Sequence, residues 1–271
     1  MKPFAIMVAG VVSLGPLAAR AESLDAASGA VGAVSQKIVA DEFKGYDGAF
    51  VVFDNKTKEY FRFNKQRCEK RISPCSTFKI FNALVGVETG VIKDQDTTFK
   101  WDGAKHEIAS WNKDHSLKSA MSNSVVWYFQ RIAAQVGEKR MKHYLQEVGY
   151  GNQDMSAGLT KFWLGNSLKI SADEEVEFLR KLVDGDLPFS KRTMDIVKST
   201  IKLNETPTST LFGKTGTDGE NKKLVLGWFV GYVERKDRTY VFATNIKAKD
   251  DAFGKRAKER TIAILQKSGM L

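Results

Sequence analysis

Ser76 and Lys79 have the residue types and the spacing of a catalytic pair. The segment Ser76-Thr77-Phe78-Lys79 follows Pro74 and begins an apolar run with helical character. If Ser76 opens that helix, its hydroxyl and the Lys79 amine lie one turn apart on the same face. A serine hydroxyl is a poor nucleophile until a base removes its proton, and a lysine at this spacing can be that base. The free N–H groups of a first helical turn would favour negative charge beside Ser76.

The pair is a weak signal by itself, because serine and lysine often meet on helix surfaces. Three other segments place polar groups where a cleft could form. Ser124-Val125-Val126 lies in a helix-like stretch, and Tyr150-Gly151-Asn152 marks a turn. Lys214-Thr215-Gly216 ends a predicted strand, where a cation and a hydroxyl can stand at the edge of a cleft.

A helix and a hairpin are predicted before Ser76. Strand candidates at 49–54 and 59–63 flank Asn55-Lys56-Thr57, which is a hairpin signal. An amphipathic helix is predicted upstream from four apolar residues that fall roughly on one face: Val31, Val34, Ile38 and Phe43.

From Ser76 to about Leu203 the pattern is mostly helical. Three strands are then predicted at 210–214, 225–234 and 239–246, followed by a last helix over 253–267. Turns are expected at Gly219-Glu220-Asn221 and at Arg235-Lys236-Asp237.

This order predicts an α/β (α+β) fold in which an antiparallel sheet is flanked by terminal helices. The helical lobe, at about 76–207, is inserted between the two parts of the sheet lobe, at about 22–75 and 208–271. We find no internal repeat and no linker in the sequence, so both lobes are expected to form one functional unit.

Residues 1–21 have the features of a secretory signal. Lys2 supplies the charge, 4–17 form a short apolar core, and Ala19-Arg20-Ala21 is a small-x-small cleavage site. We expect a mature protein that begins near Glu22, has no membrane span and is periplasmic or secreted. The alternative is a retained anchor, for which the apolar run is short.

The formal charge is +10, and loss of the signal would remove two basic residues and no acidic one, leaving +8. The basic residues are interleaved with acids, as at 65–71, 139–142 and 255–260. Nucleic-acid binding would require one basic face with stacking aromatics, so no nucleic-acid partner is expected. A positive field could still attract anionic small molecules.

Cys68 and Cys75 are the only cysteines. In an oxidising compartment they could form a disulfide just before Ser76, or both could remain reduced with Cys75 buried. His106, His115 and His143 show none of the close spacings that metal hydrolysis uses, so no metal is expected.

Serine β-lactamases and penicillin-binding proteins share Ser-x-x-Lys, a Ser-x-Asn-type element and Lys-Thr-Gly, in that order. This chain fills the three positions in order, with Ser124-Val125-Val126 in the middle. Together with Ser76–Lys79, Tyr150–Asn152 and Trp163-Leu164, that change resembles the class D (oxacillinase-type) β-lactamases. The resemblance extends over nearly all of the mature chain, including Trp111, Phe129 and Gly227-Trp228-Phe229.

The resemblance implies that carbon dioxide carboxylates Lys79 and that the carbamate is the general base; no other cofactor is implied. Only a neutral amine reacts with carbon dioxide, and burial can lower the pKa of a lysine, which is ordinarily about 10.4, by several units. The Trp163 indole N–H is the matching donor to the carbamate. The apolar surround that the family places there corresponds to Phe78, Val126, Phe129, Trp163 and Leu164.

The family reaction implies the other roles. Ser76 attacks a lactam carbonyl, and the N–H groups of Ser76 and Thr217 form the oxyanion hole. Ser124, helped by Lys214, relays a proton to the lactam nitrogen. Trp111 is expected to border the substrate side chain. The substrate carboxylate is expected to bind Lys214, Thr215, Gly216 and Arg256, although Lys255, Lys258 and Arg260 lie close to Arg256 in sequence.

Two other readings share this nucleophile chemistry. A penicillin-binding transpeptidase would keep an amide in place of Val126, and a β-lactam sensor domain would stay acylated. The partner expected in all three cases is a β-lactam. Oxacillin-like penicillins are implied by the resemblance, carbapenems and cephalosporins stay open, and the chain could be a monomer or a homodimer.

Overall fold

The computed structural model describes residues 31–165 and 167–271, so the predicted signal at 1–21 lies outside the described residues. Two short 3₁₀ helices cover Cys75–Phe78 and Ala109–Trp111. The α-helices are α1 Gln36–Glu42, α2 Lys65–Glu69, α3 Lys79–Glu88, α4 Leu117–Ser122, α5 Val126–Val136, α6 Glu138–Val148, α7 Ala172–Asp184, α8 Lys191–Thr200 and α9 Gly254–Lys267. The strands are β1 Asp47–Asp54, β2 Glu59–Phe63, β3 Thr98–Phe99, β4 His115–Ser116, β5 Lys202–Glu205, β6 Ser209–Glu220, β7 Lys223–Arg235 and β8 Arg238–Lys247.

Six strands form one antiparallel sheet in the order β2-β1-β8-β7-β6-β5. The predicted fold class is confirmed: the β1–β2 hairpin comes first, the helical lobe is inserted, and β6, β7 and β8 complete the sheet. The sheet begins again earlier than the predicted position 208, because β5 pairs with β6 from Lys202 onward. All four residues of Lys202–Glu205 are exposed, so no alternation of buried apolar and exposed polar residues marked this segment as a strand.

The two faces of the sheet pack against different helices because successive strand residues point to opposite sides. Phe50, Val52 and Phe229 join a core with residues of α1 and α9. Ala49, Val51 and Val230 lie on the other face and join the core of the helical lobe. Lys214 of β6 is paired with Val230, so it belongs to the face that meets the helical lobe.

Helix α3 runs through the centre of the helical lobe and is buried at every position from Lys79 to Val87. An apolar surface all round a helix fits this position. The start of α3 is therefore the point at which a polar side chain is most completely removed from water. Lys79 occupies it.

The start of α1, the end of β6 and the start of β7 differ from the predictions. Helix α1 starts at Gln36, where Ser35 accepts from the Ile38 N–H and caps it, so Val31 and Val34 precede the helix. Strands β6 and β7 run on to a two-residue turn at Asn221-Lys222, which starts two residues after the predicted turn at Gly219. Both turn residues have positive φ, of 51° and 64°, as tight hairpins require. No helix among residues 31–165 and 167–271 is long and apolar enough to cross a bilayer.

The start of α7 allows a test of the local energetics. Ser171 and Glu174 form a capping box there, in which the Ser171 side chain accepts from the Glu174 N–H at 3.2 Å. We expect Ser171→Ala to lower the free energy of unfolding by about 1 kcal/mol in chemical denaturation, because one helix N–H loses its acceptor. The exposed turn substitution Thr57→Ala is the control and should change it by less than about 0.5 kcal/mol. Equal effects of the two substitutions would contradict the capping role.

Candidate active site

Ser76 lies in the 3₁₀ helix that leads into α3. In a 3₁₀ turn residues three apart are nearly eclipsed, and the Lys79 Nζ donates to Ser76 Oγ at 2.5 Å. Cys75, directly before the serine, has φ of 52°, a left-handed conformation that costs energy for a residue with a Cβ. The backbone is therefore held in a strained turn at the predicted nucleophile.

The Lys79 amine is buried completely. Burial lowers the pKa of Lys79 well below its ordinary value, and the charge of Lys214 lowers it further. The ring of Phe129 faces the amine, with its centre 5.6 Å from Nζ. Both effects favour the neutral amine, which is the form that a general base or a reactive nitrogen requires.

An apolar wall backs this amine. Phe78 and Trp163 are both fully buried, and their rings stack with centres 5.2 Å apart. Val126, at the start of α5, and Leu164 line the adjoining cavity. Trp163 Nε1 is buried and has no hydrogen-bond partner within the part of the chain that the structure describes. Buried N–H groups are rarely left in this state, so this donor points to an acceptor other than the described residues.

Ser124 and Lys214 meet across the two lobes, where Lys214 Nζ donates to Ser124 Oγ at 3.0 Å. Burial, aided by the charge of Lys258, lowers the pKa of Lys214 to about 7. Ser124 is in a turn between α4 and α5 with φ of 54°, so the predicted helical placement is wrong. The Lys214-Thr215-Gly216 segment lies within β6 and does not end a strand.

The sheet approaches the nucleophile turn at Gly216. A Cβ on Gly216 would lie 2.9 Å from the Pro74 carbonyl oxygen, which is too close for any larger residue without movement of the backbone. Trp228, on the next strand, donates from its indole N–H to Ser73 O at 2.9 Å. Two strands are thereby fixed against the turn that holds Ser76.

A cavity of about 330 Å³ opens beside Ser76. Of the predicted substrate contacts, Trp111 and Thr215 line it, whereas Lys214 and Gly216 do not. Sequence reasoning did not select five of the lining residues for the site, which are Cys75, Ile108, Asn123, Gly165 and Asp218. The lining residues are Cys75, Ser76, Ile108, Trp111, Asn123, Ser124, Val126, Leu164, Gly165, Thr215, Thr217 and Asp218.

Arg256 is not among the residues that line this cavity. It forms ion pairs with Asp251 at 3.1 Å and Glu259 at 3.3 Å. Contact with a substrate carboxylate would require Arg256 to leave these partners. Lys258 lies near Lys214, where both residues line a second, smaller cavity.

The Tyr150-Gly151-Asn152 turn contributes to the cleft only indirectly. Tyr150 is buried behind the nucleophile turn and does not line the cavity. Asn152 instead pins the loop that carries Trp163, because its side chain donates to Ser167 O at 2.9 Å and accepts from Lys169 N at 2.8 Å. A fixed loop explains how Trp163 keeps its place beside Phe78.

Cys68 and Cys75 are free thiols in the structure. Each has its own contacts: Cys68 Sγ lies 3.1 Å from Phe63 O, and Cys75 Sγ lies 3.5 Å from Ser73 Oγ. Among the described residues there is no group of three or more His, Cys, Asp or Glu side chains that could hold a metal ion.

Sequence reasoning missed a buried group behind the turn. The Glu175 carboxyl, on α7, accepts from Thr77 Oγ1 at 2.6 Å and from the Tyr150 hydroxyl at 3.1 Å. Glu175 is ninety-nine positions after Ser76, so only the fold brings them near. One signal was available: in the acidic first turn of α7, Glu175 occupies a position on the buried face.

The comparisons with known proteins agree with this geometry. The model of the penicillin-binding protein transpeptidase domain matches residues 24–266. The probable β-lactamase YbxI of Bacillus subtilis is 44% identical over 88% of this chain and 87% of its own length. The chain belongs to the class D serine β-lactamases.

A crystal structure of a class D β-lactamase from Bacillus subtilis has 43% identity and a TM-score of 0.82, over 86% of this chain and 96% of that chain. The regulatory protein BlaR1 of Bacillus licheniformis is similar too, at 40% identity over 85% of this chain but only 38% of BlaR1. This class D chain thus also matches a part of a longer regulatory protein.

The burial of Lys79 predicts how the free energy of unfolding depends on pH. The folded-state pKa is lowered, so the folded protein binds fewer protons than the unfolded chain, and stability falls as the pH drops below the ordinary lysine value. In degassed buffer, which keeps the amine unmodified, we expect Lys79→Met to raise the free energy of unfolding by about 1–3 kcal/mol. The gain should grow toward acidic pH. The surface variant Lys139→Met should show no such trend, and a pH-independent gain in Lys79→Met would contradict the buried amine.

Proposed function

We propose that this chain hydrolyses β-lactam antibiotics through an acyl-enzyme on Ser76, with carboxylated Lys79 as the general base for acylation and deacylation. One observation carries the proposal. The buried amine of Lys79 stands 2.5 Å from Ser76 Oγ and directly follows Phe78, which stacks on the buried Trp163 indole, whose N–H has no acceptor among the described residues.

The residues around Lys79 fit a carbamate. A neutral amine is the form that attacks carbon dioxide, and burial favours that form. The added carboxylate would need a hydrogen-bond donor, and Trp163 Nε1 is an unused one. Val126 and Leu164 present no polar atom that would compete. When bound, the group supplies a carboxylate-type base in a position where the unmodified lysine has only an amine.

The chain's own residues would carry the remaining steps. Ser76 would attack the lactam carbonyl from its strained turn, and the N–H groups of Ser76 and Thr217 would stabilise the negative charge that develops on the carbonyl oxygen. Thr217 is held in place because its Oγ1 accepts from the Gly254 N–H at 2.9 Å. Ser124 would pass a proton to the departing nitrogen, because Lys214, with a pKa of about 7, can give or take one near neutral pH.

The substrate would lie in the cavity beside Ser76. Its carboxylate would bind Thr215, which lines the cavity, and Lys214, which bonds to the lining residue Ser124, while Ile108, Trp111 and Leu164 give the cavity an apolar surface. Penicillins with apolar side chains suit that surface. We also infer that the protein is exported, as the signal predicted at 1–21 indicates.

A β-lactam sensor is the second candidate, because BlaR1 is 40% identical to this chain. A sensor needs acylation without efficient deacylation. The two candidates therefore differ in the lifetime of the acyl-enzyme and not in the binding of the antibiotic. Val126 argues against the transpeptidase reading, since an apolar residue replaces the amide that those enzymes place there.

Turnover of a chromogenic cephalosporin by the purified protein separates the candidates. We expect many turnovers per protein molecule, faster with added bicarbonate, and a loss of at least about 10³-fold in Lys79→Ala because the base is gone. Lys139→Ala, on the exposed face of α6, should behave as the unsubstituted protein. Turnover should also fall at acidic pH, where Lys79 becomes an ammonium. A single stoichiometric burst without further turnover would favour the sensor and defeat the hydrolase proposal.

A further inference from the structure

Thr77 links a buried carboxyl group to the turn that carries the nucleophile. Its hydroxyl lies 2.9 Å from the Pro74 carbonyl oxygen and 2.6 Å from Glu175 Oε1. A hydroxyl has one proton, so it can donate to only one of these two acceptors at a time. Which of them receives the proton depends on the state of Glu175.

With a neutral Glu175, every hydroxyl and carboxyl proton in this chain of contacts has an acceptor. The carboxyl proton is donated to Thr77 Oγ1, and the Thr77 hydroxyl is donated to the Pro74 oxygen. The Tyr150 hydroxyl donates to Glu175 Oε1 at 3.1 Å. The Pro74 oxygen then holds two bonds from Thr77, one from the hydroxyl and one from the backbone N–H at 3.1 Å.

An ionised Glu175 reverses the middle contact. The carboxylate can only accept, so the Thr77 hydroxyl turns to it, and the Pro74 oxygen keeps the backbone bond alone. Glu175 Oε2 is already buried without a partner, and a negative charge would make that burial more costly. Ionisation therefore weakens the turn from the side opposite the cavity.

We propose that Glu175 is a positioning residue for Ser76: through Thr77, its protonation state tightens or loosens the turn from Pro74 to Phe78. The role extends the proposed function, since it sets the reactivity of the same serine, but the contacts with Thr77, Pro74 and Tyr150 exist whatever substrate Ser76 attacks.

The surroundings of Glu175 favour the neutral form. Complete burial raises the pKa of Glu175 to about 7. The hydrogen bonds from Thr77 and Tyr150 act to lower this pKa, whereas the charge of Glu174 acts to raise it. Across the described residues, no lysine, arginine or histidine side chain pairs with Glu175. The rings of Phe78, Phe81 and Phe178 pack round Tyr150 at 5.1 to 5.7 Å and keep the cluster apolar.

The ionisation should be visible in thermal stability, without any turnover. The folded protein holds a proton on Glu175 that the unfolded chain releases near 4.5, so stability falls as the pH rises from there to about 7. Glu175→Gln cannot ionise, and its melting temperature should gain several degrees on the unsubstituted protein across that range. The matched control is Glu174→Gln, the neighbouring carboxyl that pairs with Arg71; it should show no such gain.

The positioning role is tested by the reactivity of Ser76 against pH, at saturating bicarbonate. Covalent labelling of Ser76 is followed with benzylpenicillin and, separately, with a fluorophosphonate. From about pH 5.5 to about pH 8.5, we expect the labelling rate of the unsubstituted protein to fall about fivefold relative to Glu175→Gln, the worth of one hydrogen bond. Thr77→Val should remove this pH-dependent difference, and Thr77→Ser should keep it.

The two reagents distinguish failure of the proposed function from failure of the positioning role of Glu175. If benzylpenicillin labels none of the variants but the fluorophosphonate shows the difference, the proposed function fails and the role of Glu175 stands. If Glu175→Gln and the unsubstituted protein keep a constant rate ratio over this pH range with both reagents, Glu175 does not position Ser76. The same conclusion follows if Glu174→Gln gives the same change as Glu175→Gln.

Discussion

The removal of the Lys79 amine from water is the constraint on which this site depends. The amine lies at the start of a helix that is buried on all sides, beside the ring of Phe129 and next to Ser76 Oγ. A charged ammonium is costly in this place, and the nearby Lys214 makes it costlier. The fold thus favours the neutral form, on which the proposed base chemistry depends.

The rest of the structure serves to hold two lobes together round this amine. The helical lobe supplies Ser76, Lys79 and Ser124, and the sheet lobe supplies Lys214 from the middle of β6. The lobes meet closely because Gly216 has no side chain and Trp228 bonds to Ser73. Cys75 and Ser124 both have left-handed backbones at this junction, and the strain is carried by the packing around them.

Much of the fold and of the site could be predicted from the sequence, because the information is local or lies in the order of the motifs. The spacing of Ser76 and Lys79 indicates their contact, and the hairpin signal at Asn55-Lys56-Thr57 indicates β1 and β2. Other features depend on distant parts of the chain. The turn at Ser124 is stabilised by its place between two helices. Tyr150 lies outside the cleft and bonds to Glu175, and no spacing in the sequence indicates that bond. Arg256, whose predicted contact is with a substrate, pairs here with Asp251 and Glu259.

Carbon-13 NMR of the protein in ¹³C-bicarbonate tests the central claim most directly, because it observes the modified lysine and not its effect on a rate. The account predicts one carbamate resonance in the unsubstituted protein, its absence in Lys79→Ala, and a weaker resonance in Trp163→Phe, which removes the indole donor. The resonance should disappear reversibly on acidification. A fully active protein with no carbamate resonance, or one that persists in Lys79→Ala, would contradict the account.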